Sequence, residues 1–282
     1  SSAPDAELTQ LAATGKLHDP DVLAAQAKRM LKDERIRRLA TEFGCQWLHV
    51  RDVATLDEKS ERHFPTFLNV RESMQEEVTR FFIDLFQNDR SVMSFLDADY
   101  TFVNAELAEH YGFIFPTDSE NPQKANSGDK SVGSLNLREM DSWKRVDGLK
   151  QQNRGGILGF AATLAKQAGA SRTSGILRGA WLCEVVLGEK LPIPPKGVPI
   201  LPEQPPEGLT ERQLVEQHST DKNCAACHNR IDPFGFALEG FDAIGRARQA
   251  DTKVTLPDGT RVDGLHGLRS YLLDKRSDDF VR

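Results

Sequence analysis

The sequence predicts a mainly α-helical fold, and three observations support that prediction. From Val70 to Gln87 the apolar side chains recur three and four positions apart with charged ones opposite, as in an amphipathic helix. Residues that favour helix ends stand beside such patterns, as Asp19-Pro20 does at a start and Gly112 at an end. In the first half of the chain, apolar and polar residues do not alternate over more than about five positions, as they would in a half-buried strand.

The helices predicted before residue 113 follow from the same signals. Gly15 stops the first, Pro20 fits the first turn of the second, and Ser91 caps a short one. In chain order they cover about Asp5 to Thr14, Asp19 to Met30, Ile36 to Val50, Val70 to Gln87, Ser91 to Leu96, and Tyr100 to Gly112.

The second half begins with an expected break in regular structure. From Pro116 to about Gly133 the composition turns to Ser, Asn, Asp, Lys, Pro and Gly, which indicates an exposed loop. Prolines recur from Pro192 to Pro206, so this stretch is expected to be a stiff, extended connector. The other predicted elements are helices over Ile157 to Ala168, Ser174 to Leu187 and Glu211 to His218, a short hairpin over Lys253 to Val262, and a last helix from Leu265.

Composition excludes some classes of function. The formal net charge is −6 over 282 residues, which argues against a nucleic-acid partner because such proteins usually present a basic face. No apolar run approaches the length of a transmembrane helix. The chain opens at Ser1 without Met and without a visible signal peptide, so we expect it to be part of a longer precursor.

The motif with the clearest chemistry is Cys224-Ala225-Ala226-Cys227-His228. Two cysteines three apart, with a histidine directly after the second, form the attachment signature for c-type haem. Each thiol adds to one haem vinyl group, and the following imidazole is held under the iron. We therefore expect Cys224 and Cys227 to anchor one haem c covalently and His228 to be the proximal ligand, in a helical, cytochrome c-like segment.

Two other uses of this cysteine pair fit less well. A redox dithiol usually sits in a βαβ unit, and none is predicted here. A structural zinc site needs four ligands, and the sequence offers no second cysteine or histidine pair to complete one. Because haem c is normally attached outside the cytoplasm, the motif predicts a periplasmic or extracellular location, with a secretion signal upstream.

Further motifs carry a resemblance that extends over nearly the whole chain. The chain resembles the consecutive domains of unknown function that accompany planctomycete-type cytochrome c domains in large bacterial envelope proteins. That resemblance implies the helical fold, the haem and the compartment, but no substrate. The motifs are Ser2 to Asp5 with Gly15-Lys16-Leu17, Phe43 to Leu48, Asp97 to Asn104 with Leu107 to Gly112, Arg154 to Leu158, Thr173-Ser174 with Arg178-Gly179, and the haem motif followed by Ile231-Asp232-Pro233 and Gly235 to Glu239.

The expected domain organisation has three parts. A helical domain covers residues 1–150, and a haem c-binding domain covers 151–250 with the proline-rich connector at 192–206 inside it. Residues 251–282 are expected to begin a C-terminal domain that the sequence cuts short. Two features depart from the family pattern: Gly175 stands where a proline is usual, and the segment between Tyr111 and Arg154 is longer than expected.

Two functions from different classes remain open at this point. One is an electron-transfer module that passes single electrons to a redox partner protein or to other domains of the same polypeptide. The other is a haem-dependent oxidoreductase, peroxidase- or oxidase-like, acting on an extracellular or periplasmic substrate. The first needs an iron with two axial ligands, whereas the second needs an open or displaceable axial position, which carbon monoxide binding to the reduced protein would reveal.

The sixth iron ligand is open among several residues. Small c-type cytochromes take a methionine from the chain after the motif, but no methionine follows Met140. His218 lies six residues before Cys224 and can fold over the opposite haem face, and His110 lies in a His-Tyr-Gly motif of the helical domain. These two histidines are favoured; His266, Met140, Met74 and an open site are the alternatives.

Other residues have both a functional and a structural interpretation. Arg154 and Arg178 are candidates for pairing with the haem propionates, because arginine favours carboxylates in bidentate geometry; the alternative is that they brace loops. Cys45 and Cys183, the two cysteines left over, form either a disulfide, as an oxidising compartment favours, or two separate buried thiols.

Overall fold

The computed structural model describes residues 3–113, 142–193, 201–202, 206–220 and 222–282. This described part is mainly helical, as predicted. Its α-helices are Ala6–Ala13, Pro20–Leu31, Ile36–Leu39, Phe67–Gln87, Ser94–Asp97, Ala105–Tyr111, Ala161–Lys166, Gly175–Trp181, Glu211–His218, Lys222–Phe236, Gly264–Lys275 and Ser277–Phe280. Wider π-helical turns continue two of them at Ala40–Cys45 and Leu182–Val186, and 3-10 turns lie at Lys16–His18, Val53–Thr55, Leu149–Gln152 and Ile157–Gly159.

Polar side chains cap many of these helices at the positions that the sequence indicated. Asp5 accepts a hydrogen bond from the Leu8 amide, and Asp19 accepts one from Asp21 with Pro20 in the first turn. Thr210 and Gln213 form a reciprocal capping box at the start of Glu211–His218. The predicted helices before residue 97 and after Ser174 are therefore confirmed apart from shifts at their ends.

The prediction of one helix from Tyr100 to Gly112 is wrong in its first part. Residues Tyr100–Val103 form a strand that pairs antiparallel with Lys144–Asp147, with Tyr100 opposite Asp147. The aromatic and β-branched side chains of Tyr-Thr-Phe-Val favour this extended state. Asn104 then caps the helix Ala105–Tyr111 by accepting from the Leu107 amide.

The predicted hairpin near the C-terminal end is confirmed. Strands Lys253–Thr255 and Arg261–Asp263 pair antiparallel, with Val254 opposite Val262. The loop predicted at 116–133 lies outside the described residues, as does most of the predicted connector at 192–206. No helix in the described ranges is long and apolar enough to cross a membrane.

One apolar core runs through both halves of the chain. It contains Phe81 and Phe82 of the first half together with Phe160, Trp181 and Phe234 of the second. Two tryptophans tie the halves reciprocally, because the Trp47 indole donates to the Val185 carbonyl at 3.2 Å and the Trp181 indole donates to the Leu48 carbonyl at 3.1 Å.

Candidate functional site

The cysteine–histidine motif lies at the start of the helix Lys222–Phe236, which we call the motif helix. Cys224, Cys227 and His228 are spaced three and four residues apart, so their side chains leave the helix on the same side. Both cysteines are half-buried free thiols. The motif helix therefore carries two thiols and one imidazole on one side.

Glycines hold the motif helix close to the helix Gly175–Trp181. A side chain at Gly179 would overlap the Ile231 carbonyl oxygen, and one at Gly235 would overlap the backbone of Gly175. The absence of side chains at these positions lets the two backbones touch. The close contact fixes the position of the motif helix against the core.

His228 has a carboxylate partner one helical turn further on. Its Nδ1 lies 2.9 Å from Oδ2 and 3.1 Å from Oδ1 of Asp232, whose side chain is almost fully buried. Burial raises the pKa of Asp232 to about 6, and His228 acts in the opposite direction. With Nδ1 engaged by the carboxylate, Nε2 is the ring nitrogen that remains for a metal ion.

A second histidine ring lies directly beside His228. The helix Glu211–His218, which we call the preceding helix, ends at His218, whose ring centroid is 5.2 Å from that of His228 with the planes at 77°. The two rings are in direct edge-to-face contact, so the fold brings both imidazoles together where the preceding helix ends.

A cleft of about 730 Å³ opens beside these two helices, within the size range of ligand pockets. Its walls come from the preceding helix, the motif helix and the hairpin. Arg212 and Glu216 line it from the first, His228 and Asp232 from the second, and Leu256 from the third. Cys224 and Cys227 are not among the residues that line this cleft.

The residues present fit haem c better than a bare metal ion. The thiol pair, the imidazole with Nδ1 engaged and the neighbouring His218 ring match the donors that a covalently attached haem with two axial ligands requires. Across the described residues, no group of three or more His, Cys, Asp or Glu side chains is assembled to hold a metal ion.

Arg154 and Arg178 are buried, and their guanidinium groups contact protein backbone. Arg154 donates to the carbonyls of Gly159 at 3.0 Å and Gly245 at 2.6 Å. Arg178 donates to the carbonyls of Leu238, Phe241 and Asp242 at 2.6 to 2.9 Å. These bonds brace the segment after the motif helix, which corresponds to the structural alternative and not to the expected contacts with propionates.

The other proposed iron ligands lie in different surroundings. His110 is largely buried, its Nε2 donates to the Ile244 carbonyl at 2.9 Å, and burial lowers its pKa to about 4. Met74 is fully buried in the core, and His266 is exposed on the helix Gly264–Lys275. Met140 lies outside the described residues. Of the residues named as sixth ligand, the structure brings His218 next to His228.

Cys45 and Cys183 are buried free thiols and not a disulfide. The Cys45 thiol lies 3.6 Å from the Thr79 hydroxyl, and burial raises its pKa. Burial likewise raises the pKa of Cys183, to about 12. Both side chains pack as small apolar groups in the core.

The pairing of Asp232 with His228 and the arginines of the cleft were not predicted from the sequence. Spacing could have revealed the first, because a histidine and an aspartate four apart on a helix lie on the same side. Arg212 pairs with Glu216 at 2.8 Å and with Asp251 at 3.3 Å, and Arg230 pairs with Glu189 at 2.6 Å. Nothing in the sequence alone distinguishes these arginines from other surface residues.

Comparison with protein families gives two matches that together cover most of the chain. Residues 1–113 match the family described as PSD4, a protein of unknown function (DUF1592), and residues 154–251 match PSCyt3, a protein of unknown function (DUF1588). No curated protein and no solved structure matches the chain. Both matched families are planctomycete cytochrome c-associated domains, in agreement with the family resemblance of the motifs.

Proposed function

We propose that this chain is a c-type cytochrome module that carries one covalently bound haem c and serves electron transfer in the bacterial cell envelope. The observation that carries the proposal is the 5.2 Å pairing of the His218 and His228 rings. One ring directly follows the two cysteines of the attachment motif, and the other ends the preceding helix. Motif and fold thus supply two thiols and two imidazoles in one place.

Each residue of the site has its own role in this proposal. The Cys224 and Cys227 thiols would hold the haem by adding across its two vinyl groups, and Nε2 of His228 would be an iron ligand. His218, whose ring lies against that of His228, would be the second imidazole ligand. Haem ligated by two histidines supplies one-electron exchange at low potential.

The cleft offers guanidinium groups for the propionates in place of Arg154 and Arg178. Arg212 and Arg230 both line it and are partly exposed. Each already pairs with a carboxylate, and guanidinium groups bind a second carboxylate readily because they carry five donors. We assign the propionate contacts to these two residues.

The proposed location and partners follow from the cofactor. Haem c is normally attached outside the cytoplasm, so the module belongs in the periplasm or at the cell surface. The electron is exchanged with a redox partner protein or with other domains of the same polypeptide. The matched families support the association with cytochrome c domains, because planctomycete cytochrome c domains accompany them.

A haem-dependent oxidoreductase is the second candidate, and the cleft is the observation that favours it. Its volume of about 730 Å³ is within the size range of ligand pockets, and His228 lines it. This function requires His218 to leave the iron or never to bind it. Carbon monoxide separates the two candidates, since it binds reduced haem only where an axial position is open or labile.

Covalent attachment is the first test of the proposal. Protein produced in a host that attaches haem c should keep its haem on the chain after extraction with acid acetone. The double variant Cys224→Ala/Cys227→Ala is the control and should lose all of it. Haem that extracts from the wild-type protein, or protein that matures without haem, would contradict the proposal.

The axial ligand is tested with His218→Ala on the same holoprotein. We expect the ferric spectrum to change from low spin to high spin, and the reduced variant to bind carbon monoxide, which the wild type does not. His110→Ala is the matched control and should keep the wild-type spectrum, because the His110 Nε2 donates to the Ile244 carbonyl. An unchanged spectrum in His218→Ala would remove His218 from the site, and carbon monoxide binding by the wild type would favour the oxidoreductase.

A further inference from the structure

We infer that Asp232 is a positioning residue that sets the donor strength of His228 and thereby lowers the reduction potential of the site. The inference rests on the proposed function, because it concerns the imidazole assigned to the iron. Nothing in the sequence motif requires it, since the attachment signature ends at His228.

The contact between Asp232 and His228 is direct and enclosed. Both carboxylate oxygens face Nδ1, at 2.9 and 3.1 Å, and the two residues are one turn apart on the motif helix. The Asp232 side chain is 6% exposed and the His228 side chain is 12% exposed. Among the described residues, the His228 ring is the one side-chain group that donates a hydrogen bond to Asp232.

The chemistry of this arrangement is that of a carboxylate–histidine–metal triad. An acceptor on Nδ1 fixes the tautomer that leaves the Nε2 lone pair for the metal, and an anionic acceptor raises the basicity of the ring. A more basic axial ligand stabilises the ferric state over the ferrous state, so the potential falls. Because the contact is shielded from water, its electrostatic effect is larger than it would be at the surface.

Among the charged groups of the cleft, we assign the increase in the basicity of the His228 ring to Asp232. Glu216 faces the same cleft from the preceding helix and adds negative charge. The two arginines that line the cleft pair with other carboxylates, Arg212 with Glu216 and Arg230 with Glu189. Both arginines therefore already have a carboxylate partner, whereas Asp232 contacts the imidazole itself.

The experiment compares Asp232→Asn with Glu216→Gln in the haem-loaded protein. Asparagine keeps the shape and an acceptor oxygen but removes the charge. At a fixed solution potential we expect the ratio of ferrous to ferric protein to rise about tenfold, which for a one-electron couple is 59 mV. Glu216→Gln removes one charge from the same cleft without touching His228, and its shift should be much smaller.

Equal shifts in the two variants, or none in either, would show that Asp232 only braces the helix and would overturn the inference. Asp232→Glu keeps the charge and should stay near the wild-type potential. If Asp232→Asn does not fold, the EPR spectrum of the ferric wild type decides, since a strongly basic axial imidazole narrows the spread of its g values and an ordinary spread would contradict the inference. Failure of the proposed function looks different, because the wild type itself would then lack haem or would bind carbon monoxide when reduced.

Discussion

Glu77 is a fully buried carboxyl group in the middle of the helix Phe67–Gln87. The Thr101 hydroxyl donates to it at 2.6 Å and the Tyr111 hydroxyl at 2.5 Å. The Arg154 guanidinium lies over the face of the Tyr111 ring, 3.9 Å from its centre, in a cation–π contact. Burial outweighs these contacts and raises the pKa of Glu77 from 4.5 to about 7.

This shift predicts a stability that falls as pH rises. Between pH 4.5 and 7 the unfolded chain releases the Glu77 proton while the native protein still holds it, so the free energy of unfolding decreases with pH. Each pKa unit corresponds to about 1.4 kcal/mol, which makes the expected decrease roughly 3 kcal/mol. Urea unfolding of wild type and Glu77→Gln across this pH range measures it as a difference in slope.

The comparison with the variant is necessary because other buried groups titrate in the same range. Burial lowers the pKa of His110 to about 4, which makes stability rise with pH between about 4 and 6.5 and opposes Glu77. Glu76→Gln controls for the loss of a carboxylate from this helix, since Glu76 pairs with Arg80 nearer the surface. Parallel pH profiles for wild type and Glu77→Gln would contradict the prediction.

At the level of single residues, local chemistry was predictable and burial was not. Cys224, Cys227 and His228 are close in sequence, so their spacing alone predicted a shared side of the chain, and the short link from His218 to Cys224 made its approach to His228 predictable. Arg154 and Arg178 donate hydrogen bonds to carbonyls in the segment from Leu238 to Gly245, which lies far along the chain. Such contacts leave no periodic signal in the sequence.

At the level of elements, the preceding helix was predictable because it contains its own signals, whereas no bounds were predicted for the motif helix, which has Pro233 in its interior. The Thr210 cap predicted the preceding helix with its observed bounds, Glu211–His218. The strand Tyr100–Val103 was missed because its partner, Lys144–Asp147, lies more than forty residues away in sequence. The position of one helix against another also depends on residues far apart in sequence. The contact of Gly179 with the Ile231 backbone, between Gly175–Trp181 and the motif helix, is an example.

That contact predicts a large effect of a single methyl group. Gly179→Ala places a Cβ onto the Ile231 carbonyl oxygen, which can yield only if the motif helix moves. Overpacking of this kind costs about 1 to 3 kcal/mol, so the thermal midpoint should fall by several degrees. Gly240→Ala is the matched control, because its new Cβ would meet Thr252 at an ordinary 3.6 Å. A Gly179→Ala variant as stable as Gly240→Ala would show that this helix contact is not tight.

At the level of the whole molecule, the two family segments are joined by contacts that neither can make alone. The Lys59 ammonium donates to the carbonyls of Ala168 at 3.0 Å and Gly169 at 2.7 Å, and burial lowers its pKa to about 7. The Tyr111 hydroxyl accepts from the Ala161 amide at 3.0 Å. Sequence composition divides the chain near residue 150, but these contacts cross that division and bury polar groups from both sides.

The shared core predicts that both segments unfold as one cooperative unit. In native-state hydrogen exchange, the central amides of Phe67–Gln87 and of Ala161–Lys166 should open with the same highest free energy. Trp181→Phe removes the hydrogen bond to the Leu48 carbonyl and should lower both values equally, by about 1 kcal/mol. Leu177→Ala, on the exposed side of the same helix, should change neither. If Trp181→Phe weakens protection in Ala161–Lys166 alone, the two segments are independent domains. The helical domain of residues 1–150 then does not hold the motif helix in place through this core.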